Sequence, residues 1–339
     1  MNPLMSLVGI ATVFALAFAL STDRRAVNPR TVLGAFAFQA GIAALVLYFP
    51  AGQQLLKAVV FAVQHVIDYG KVGIRFVFGE AITENMGFTV AFHVLPVIIF
   101  FSCLMSTLYY LGIMQRIVNG FGGVLHRLLH TSKAESMSAA ANVFVGHTEA
   151  PLVIRPYLAR MTDSELFAVM TGGNATIAGA VMAGYAALGV DLSYLITASF
   201  MAAPGGLLMA KIVLPETATP VDPASVDSSD ARGAVNVFDA MGNGALTGLQ
   251  LALNVGALLL AFVAMIALVN GIIGGLAGLA GIEGLTLEGI LGTVLAPLAF
   301  LLSVPWEEAG TAASLIGTKL ILNEFIAYVQ FVEIQDQLS

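Results

Sequence analysis

The chain has 339 residues, of which 58% are hydrophobic and only 10% are charged, whereas soluble domains carry about 25% charged residues. This composition excludes an ordinary soluble fold, and the net charge of -7 gives no basis for nucleic-acid binding. Cys103 is the single cysteine, which excludes an internal disulfide.

Long apolar segments follow one another along the chain, with lengths close to the roughly 20 residues that cross a hydrocarbon core. They lie at residues 3–20, 31–49, 88–113, 166–188, 194–213 and 245–273. The first has no basic region before its apolar core, so we interpret it as a retained span and not as a signal peptide. The pattern predicts an all-α, multi-pass integral membrane protein.

Basic residues predict the orientation of these spans. Two loops, the one after the first span and the one after the third, are enriched in them: Arg24, Arg25, Arg30, Arg116, Arg127 and Lys133. Basic loops favour the cytoplasmic side, which predicts an external N-terminus. Residues 51–84 mix Lys57, Lys71 and Arg75 with apolar residues, a pattern typical of a helix lying at the outer interface.

A weak internal repeat relates the two halves of the chain. Residues 128–140 can be laid over residues 301–313, which matches a Leu-Leu pair, a glutamate and an Ala-Ala pair. Each copy continues through a short helix into a polar cluster, NVFVGHTE at 142–149 and NEF at 323–325. Neither helix is long enough to span, so both copies predict re-entrant hairpins with tips that line a polar cavity.

The span at 166–188 is predicted to be a broken helix. Its middle, TGGNATIAGA at 171–180, places Gly, Asn and Thr where a continuous helix prefers Leu or Ala. Three spans separate the two copies, which predicts an inverted repeat of the kind found in secondary transporters. A second break at the same offset would fall beyond Ser339, so we expect the second copy to be incomplete within this sequence.

Two glutamates, Glu149 and Glu324, are predicted at membrane depth. A carboxylate there is costly and usually marks an ion or substrate path. The alternative is that each forms a structural ion pair, with Arg155 or Lys319 as the candidate partner. No His/Cys cluster indicates a transition-metal site.

The first hairpin tip predicts an alkali-cation site. Asn142, Gly146 and Thr148 offer an amide, free carbonyls and a hydroxyl, which are hard oxygen ligands, and Thr176 and Ile177 could complete the shell. The alternative, compatible with cation binding, is that Asn142 and Thr148 cap helix ends. A neighbour in the same tip, His147, could hydrogen-bond a polar ring and titrate near neutral pH.

Five ordered motifs resemble the concentrative nucleoside transporter family. They are GHTEAPLVIRP (146–156), GGNATIAGAV (172–181), ASFMAAPGGLLMAK (198–211), VPWEEA (304–309) and GTKLILNEFIAY (317–328). The last, with Lys319, Asn323 and Phe325, is close to the family's signature motif. The resemblance extends from about residue 88 to residue 330.

The resemblance implies a sodium-coupled symporter, usually a homotrimer, with a transport domain that slides past a fixed scaffold. It implies a nucleobase side lined by Gly146, His147, Thr148, Glu149 and Val181, and a Glu324 carboxylate that accepts ribose hydroxyls. It implies sodium bound among Asn142, Val145, Thr148, Thr176 and Ile177. Because the family usually has glutamine where this chain has His147, no choice between purine and pyrimidine is predicted.

These inferences predict five segments. They are N-terminal scaffold spans with an interfacial helix (1–113), a first transport repeat (114–213), a polar linker (214–244), a long scaffold span (245–273) and an incomplete second repeat (286–339). The predicted function is the import of uridine-type nucleosides through a bacterial inner membrane, with sodium as coupling ion and without a cofactor, catalytic residue or nucleic-acid partner.

Three alternatives compete with this prediction. A proton-coupled relative would take up its proton on Glu149 or His147. An intramembrane enzyme would use Glu149 and Glu324 as an acid and base pair, but it lacks a plausible nucleophile and leaves the repeat unexplained. A channel agrees poorly with paired hairpins, which imply gating on both sides.

Overall fold

A computed structural model describes residues 3–80, 89–146, 150–155, 157–220, 234–279, 281–335 and 338, and this part of the chain is helical, without a β-strand. The α-helices are α1 Pro3–Ala19, α2 Pro29–Tyr48, α3 Pro50–Phe78, α4 Val90–His93, α5 Leu95–Tyr110, α6 Ile113–Leu129, α7 Lys133–Asn142, α8 Ala150–Val153, α9 Asp163–Ala175, α10 Gly179–Leu188, α11 Leu192–Val213, α12 Val237–Leu279, α13 Leu287–Leu301, α14 Trp306–Ile321 and α15 Glu324–Ile334. A 3-10 turn, Leu158–Arg160, precedes α9.

Five of the described helical stretches are long and apolar enough to cross a membrane, as the composition predicts. They are Pro29–Tyr48, Val90–Tyr110, Asp163–Leu188, Leu192–Val213 and Val237–Leu279. In α2 and in α12 only 11% of the residues in the most apolar 18-residue stretch are buried within the chain. The apolar faces of these helices therefore point outward. Such faces are suited to lipid or to another copy of the chain. The multi-pass, all-helical membrane fold is thus confirmed.

The third span is divided in two at Val94, where α4 ends and α5 begins. Pro96 in the first turn of α5 has no N–H to donate to the preceding turn, so the α-helical ladder is interrupted there. The break at residues 176–178 between α9 and α10 confirms the predicted broken helix.

Helix α12 is longer than the predicted span at 245–273. It begins at Val237, inside the segment that the sequence predicts as linker, because Asn236 Oδ1 accepts a hydrogen bond from Asp239 N at 2.9 Å and so starts the helix. Residues 221–233 of that linker lie outside the described part. Helix α3 forms as a single helix with Lys57 exposed on it, and its position at the outer interface stays a prediction.

The chain divides into two compact units. The larger unit comprises Ala17–Ala187 and Asp191–Ala252. Within it α11 packs against α2 and α9, and α7 packs against α6 and α9. The smaller unit comprises Met1–Leu16, Leu188–Val190 and Leu253–Ser339. Within it α13 and α14 meet at a bend of 114° and bury Ala299, Ala309 and Ala313 between them.

The backbone repeats itself where the sequence does. His130 (φ 54°), after α6, and Ser303 (φ 74°), after α13, are the only non-glycine residues with positive φ in the described part of the chain. The overlay of 128–140 on 301–313 pairs these two residues. The N-caps that follow them are also paired and have similar backbone angles, φ -64° and ψ 158° for Ser132 before α7 and φ -53° and ψ 144° for Pro305 before α14. The internal repeat is therefore a structural one, a helix, a left-handed turn and a second helix.

Candidate functional site

The first hairpin tip follows α7 directly. Helix α7 ends at Asn142, and Ala150 N, at the start of α8, donates to Gly146 O at 2.9 Å. The predicted substrate residues His147, Thr148 and Glu149 lie outside the described residues. What the structure does describe is the frame on both sides of them.

Asn142 is the least satisfied polar side chain in this frame. It is 1% exposed, and neither its amide nitrogen nor its carbonyl oxygen has a hydrogen-bond partner in the described part of the chain. The capping role that the sequence allows for Asn142 is therefore not observed there. Leaving a buried polar group unpaired costs about 1–3 kcal/mol, so this amide requires an explanation such as a bound ion.

The break in the broken helix supplies further oxygen atoms. Thr176 adopts an extended conformation after α9, is 9% exposed, and its hydroxyl donates to Gly172 O at 3.0 Å. Breaking the helix there leaves carbonyl oxygens of its last turn without intrahelical partners. Ile177, the next residue, is half-buried.

The hairpin tip docks on this break. Gly179 N, at the start of α10, donates to Phe144 O at 3.1 Å, and a Cβ on Gly179 would lie only 2.3 Å from that oxygen. A Cβ on Gly172 would lie 3.5 Å from Asn142 Nδ2. Residues 142–145 of the hairpin thus contact the broken helix on both sides of Thr176 and Ile177, at Gly172 and at Gly179.

Glycines make this close approach possible. A Cβ on Gly206, in α11, would lie 3.1 Å from Gly172 Cα. Helix α11 therefore packs closely against α9 at Gly172, the residue that Asn142 contacts. Residues 204–206 read Pro-Gly-Gly, a composition that allows a kink or a close helix contact. The structure has the close contact, within a helix that runs unbroken from Leu192 to Val213.

The second hairpin places Glu324 at a helix start. Helix α14 ends at Ile321, and Asn323 Oδ1 accepts from Ile326 N at 2.9 Å, which caps α15. Glu324, the first residue of α15, is half-buried, and Tyr328, one turn on, interacts electrostatically with it. A carboxylate at this position is stabilised by the positive end of the helix dipole.

The remaining predicted residues lie around these two frames. Phe325, which belongs to the smaller unit, is 4% exposed. Lys319 is exposed near the end of α14, and Val181 is half-buried on α10. Arg155, the candidate ion-pair partner of Glu149, is exposed.

One buried group was missed by reasoning from the sequence. Lys211 stands in the last turn of α11 and is only 6% exposed. Its Nζ lies 2.8 Å from Glu135 Oε2. A lysine inside an apolar motif was the available signal, but nothing in the sequence names its partners.

Three family descriptions match successive parts of the chain. "Na+ dependent nucleoside transporter N-terminus" matches residues 8–81, "Nucleoside recognition" matches residues 91–191, and "Na+ dependent nucleoside transporter C-terminus" matches residues 194–339. Together these matches cover most of the chain, including residues 8–81, which lie before the region where the sequence showed the resemblance.

Relatives agree with these matches. The chain is 52% identical over 337 residues to the nucleoside permease NupC of Helicobacter pylori, covering 98% of this chain and 80% of that protein. It is 39% identical over 330 residues to sodium/nucleoside cotransporter 1 of Mus musculus, covering 96% of this chain and 50% of that protein.

Solved structures agree as well. The fold matches CNTnw in an inward-facing substrate-bound state with a TM-score of 0.95 and 54% identity, covering 100% of this chain and 83% of that one. A variant of CNTnw in an outward-facing state matches with the same TM-score and covers 98% and 81%. The chain is therefore an integral membrane protein that belongs to the concentrative, Na+-dependent nucleoside transporter family.

Proposed function

We propose that this protein is a sodium-coupled symporter that imports nucleosides of the uridine type across a bacterial inner membrane. The observation that carries the proposal is the buried, unpaired amide of Asn142 beside a break in a neighbouring helix. The Na+ dependence of the family supports it.

Sodium would bind at the contact of the first hairpin with the broken helix. Asn142 Oδ1, the Thr176 and Thr148 hydroxyls, and the carbonyls of Val145 and Ile177 are all hard oxygen donors of the kind that replace water around an alkali cation. Asn142 has no other partner in the described residues that would compete for its oxygen. In this proposal sodium is transported together with the nucleoside, and the first hairpin supplies part of its binding site.

The nucleoside would bind through two sets of residues. Gly146, His147, Thr148, Glu149 and Val181 would contact the nucleobase. Glu324 would accept hydrogen bonds from the ribose hydroxyls, since a carboxylate has several lone pairs for adjacent donors. Asn323 supports this role because its cap fixes the start of the helix that presents Glu324.

Coupling between ion and substrate follows from the shared hairpin. The residues from Gly146 to Glu149 continue directly from the turn that the Phe144–Gly179 hydrogen bond holds. If sodium orders this turn, a nucleoside that binds next pays less conformational entropy, so each ligand raises the affinity for the other.

Transport would proceed by alternating access in a homotrimer, with a transport domain that slides past a scaffold. CNTnw has been captured in inward-facing, intermediate and outward-facing states, and this supports the same cycle for the present chain. The predicted segments, with scaffold spans at 1–113 and 245–273 and transport repeats at 114–213 and 286–339, belong to this proposal.

The test is the uptake of radiolabelled uridine into proteoliposomes that contain the product of the complete gene. We expect an inward sodium gradient to drive accumulation, and choline in place of sodium at fixed pH to abolish it. Uridine should be recovered unchanged from the liposome interior, which separates transport from conversion.

Uptake that persists in choline would contradict sodium coupling. If an inward proton gradient then drives the uptake, the proton-coupled alternative with Glu149 or His147 as acceptor is the correct one. Uptake that does not saturate with uridine concentration would indicate a channel.

A further inference from the structure

A buried ammonium group joins three segments of the larger unit. Lys211 Nζ lies 2.8 Å from Glu135 Oε2 in the first turn of α7, and 2.9 Å from Ser164 Oγ in the first turn of α9. It also lies 3.5 Å from Glu216 Oε2, in the chain that follows α11. One side chain thus contacts a hairpin arm, one half of the broken helix and the start of the linker.

Two buried glutamates of the network, Glu135 and Glu165, are held in fixed positions by capping boxes. Glu135 is 2% exposed and closes a capping box, because its Oε1 accepts from Ser132 N at 2.6 Å. This leaves Oε2 for Lys211. Glu165, 1% exposed, closes the equivalent box at the start of α9 by accepting from Thr162 N at 2.9 Å.

Hydroxyl groups complete the network. Thr162 Oγ1 donates to Glu216 Oε2 at 2.8 Å, and Ser164 Oγ donates to Leu214 O at 2.7 Å. The Lys211 ammonium lies close to Glu135 and Glu216, and Glu135 and Glu165 stand in the first turns of α7 and α9, where the positive end of the helix dipole offsets their charge. Every segment in the network is therefore tied to another.

Stability alone does not account for such a cluster. Burying an ion pair costs several kcal/mol in lost solvation, and apolar residues of similar volume often give equal or greater stability. A buried ammonium instead constrains geometry, because its acceptors must lie where its N–H groups point. Its effect is therefore expected in the geometry of the helices that it joins.

Those two helices carry the proposed cation ligands at their other ends. Asn142 follows Glu135 on α7 by about 10 Å, and Thr176 follows Ser164 along α9 by about 18 Å, at 1.5 Å per residue. Because both helices are short and rigid, fixing their starts against one ammonium sets how their ends meet.

We propose that Lys211 is a positioning residue for the sodium site, which acts by locking the bases of α7 and α9 so that Asn142 and Thr176 face each other at the correct spacing. This inference rests on the proposed function. It assigns the Glu135–Lys211–Ser164 cluster a role in cation affinity without contact with the cation.

The test compares sodium dependence across variants in proteoliposomes, with uridine saturating. Lys211→Met is expected to raise the sodium concentration for half-maximal uptake by about tenfold or more, the effect of losing an outer-shell partner of a metal site. The maximal rate at saturating sodium is expected to change far less. Lys211→Arg should restore most of the affinity, and Lys57→Met, which removes an exposed lysine on α3, should match the wild type.

Two further variants test the proposal if the Lys211→Met protein does not fold. Lys211→Met combined with Glu135→Gln removes both charges together and avoids an unpaired buried carboxylate. Ser164→Ala removes only one contact of the ammonium and is expected to raise half-maximal sodium by a smaller factor. Wild-type sodium dependence in both of these folded variants would overturn the proposal.

Amide hydrogen exchange separates this proposal from the proposed function. In the Lys211→Met and double variants, exchange should become faster in α7 and α9 but not in α2. Suppose that the wild type shows no sodium-dependent uptake but the variants show faster exchange in α7 and α9. The sodium-symport proposal would then be wrong, whereas the role of Lys211 in fixing these two helices would still hold. Unchanged exchange in α7 and α9 would defeat the locking role, whatever the transport result.

Discussion

At the scale of single residues, two hairpin asparagines play opposite parts. The side-chain oxygen of Asn323 accepts a hydrogen bond from Ile326 N and caps α15. The side chain of Asn142, which is 1% exposed, has no hydrogen-bond partner in the described part of the chain. A satisfied asparagine stabilises the fold by itself. An unsatisfied one lowers stability until a ligand meets it, which is the behaviour expected of a residue kept for cation binding.

Replacing Asn142 should therefore separate binding from stability. We expect Asn142→Ala to raise half-maximal sodium in uptake assays by about 5- to 150-fold, the equivalent of 1–3 kcal/mol. Its melting temperature without sodium should not fall, because an unpaired polar group is removed. The matched control is Ser138→Ala, one turn earlier, which also removes a buried hydroxyl without a hydrogen-bond partner in the described part of the chain. It should keep wild-type sodium dependence. A fall in both melting temperatures with normal sodium affinity would refute the assignment.

Glu324 gives a second prediction at this scale. If its carboxylate accepts ribose hydroxyls, Glu324→Gln should lower uridine uptake by at least about tenfold. It should also narrow the preference for uridine over 3′-deoxyuridine, because a neutral amide replaces the charged acceptor and the loss of one ribose hydroxyl then costs less binding free energy. Competition between the two nucleosides measures this preference. Glu333→Gln, an exposed glutamate later in α15, is the matched control. Equal losses in both variants would argue against ribose recognition.

At the scale of helices, close approach decides the site. The hairpin tip meets the broken helix through a hydrogen bond from Gly179 N to Phe144 O, and α11 meets α9 at Gly206 and Gly172. A Cβ at Gly179 would clash with Phe144 O at 2.3 Å, and a Cβ at Gly206 would be tight against Gly172 Cα at 3.1 Å. Small residues are what allow helices to pack this closely inside a membrane.

Adding one methyl group at Gly179 should disturb the site. The new Cβ of Gly179→Ala would lie 2.3 Å from Phe144 O, so backbone must move, which costs about 1–3 kcal/mol. We expect the melting temperature to fall by about 2–10 °C and sodium-dependent uptake to drop. Gly120→Ala in α6, where a Cβ meets nothing within 4 Å, should leave both unchanged or raise stability slightly. Wild-type melting and uptake for Gly179→Ala would contradict the docking described here.

The contact between α5 and the first part of α12 follows the same rule. A Cβ on Gly248 would lie 2.7 Å from Ser102 Cβ and 2.8 Å from Ile99 Cα, and Ser106 Oγ donates to Ala240 O at 2.9 Å. Gly248→Ala should lower the melting temperature in detergent, whereas Gly242→Ala, on the same helix in open space, should not. A smaller loss at Gly248 than at Gly242 would contradict this packing.

At the scale of the whole molecule, much apolar surface faces outward. In α2 and α12 only 11% of the most apolar window is buried within the chain. Lipid covers such surface in a membrane protein, and another copy of the chain can do so as well. This is the setting in which the homotrimer, implied by the resemblance, is proposed.

Native mass spectrometry in a mild detergent tests the assembly. We expect a mass of three chains, with the monomer appearing only in harsher detergent. The matched functional check is sodium-dependent uptake after reconstitution of each fraction. A monomer that carries full uptake would show that the trimer is not needed for transport.

The sequence by itself was sufficient for the membrane fold, the broken helix and the family. Spans follow from runs of apolar residues, and the break follows from Gly, Asn and Thr in mid-helix, because both depend on local composition. The repeat was visible as a few matched residues in the sequence, and the left-handed turns at His130 and Ser303 confirm it.

Only the tertiary structure decided which polar groups are paired. Asn142 and Asn323 look alike in the sequence, and capping was open for Asn142 until the fold placed its amide against Gly172 without a hydrogen-bond partner among the described residues. Lys211, Glu135 and Ser164 are far apart along the chain, so no local pattern relates them, yet Lys211 Nζ lies 2.8 Å from Glu135 Oε2 and 2.9 Å from Ser164 Oγ. Composition determines which helices enter the bilayer, whereas the buried partners of a polar group depend on contacts between distant segments, which only folding creates.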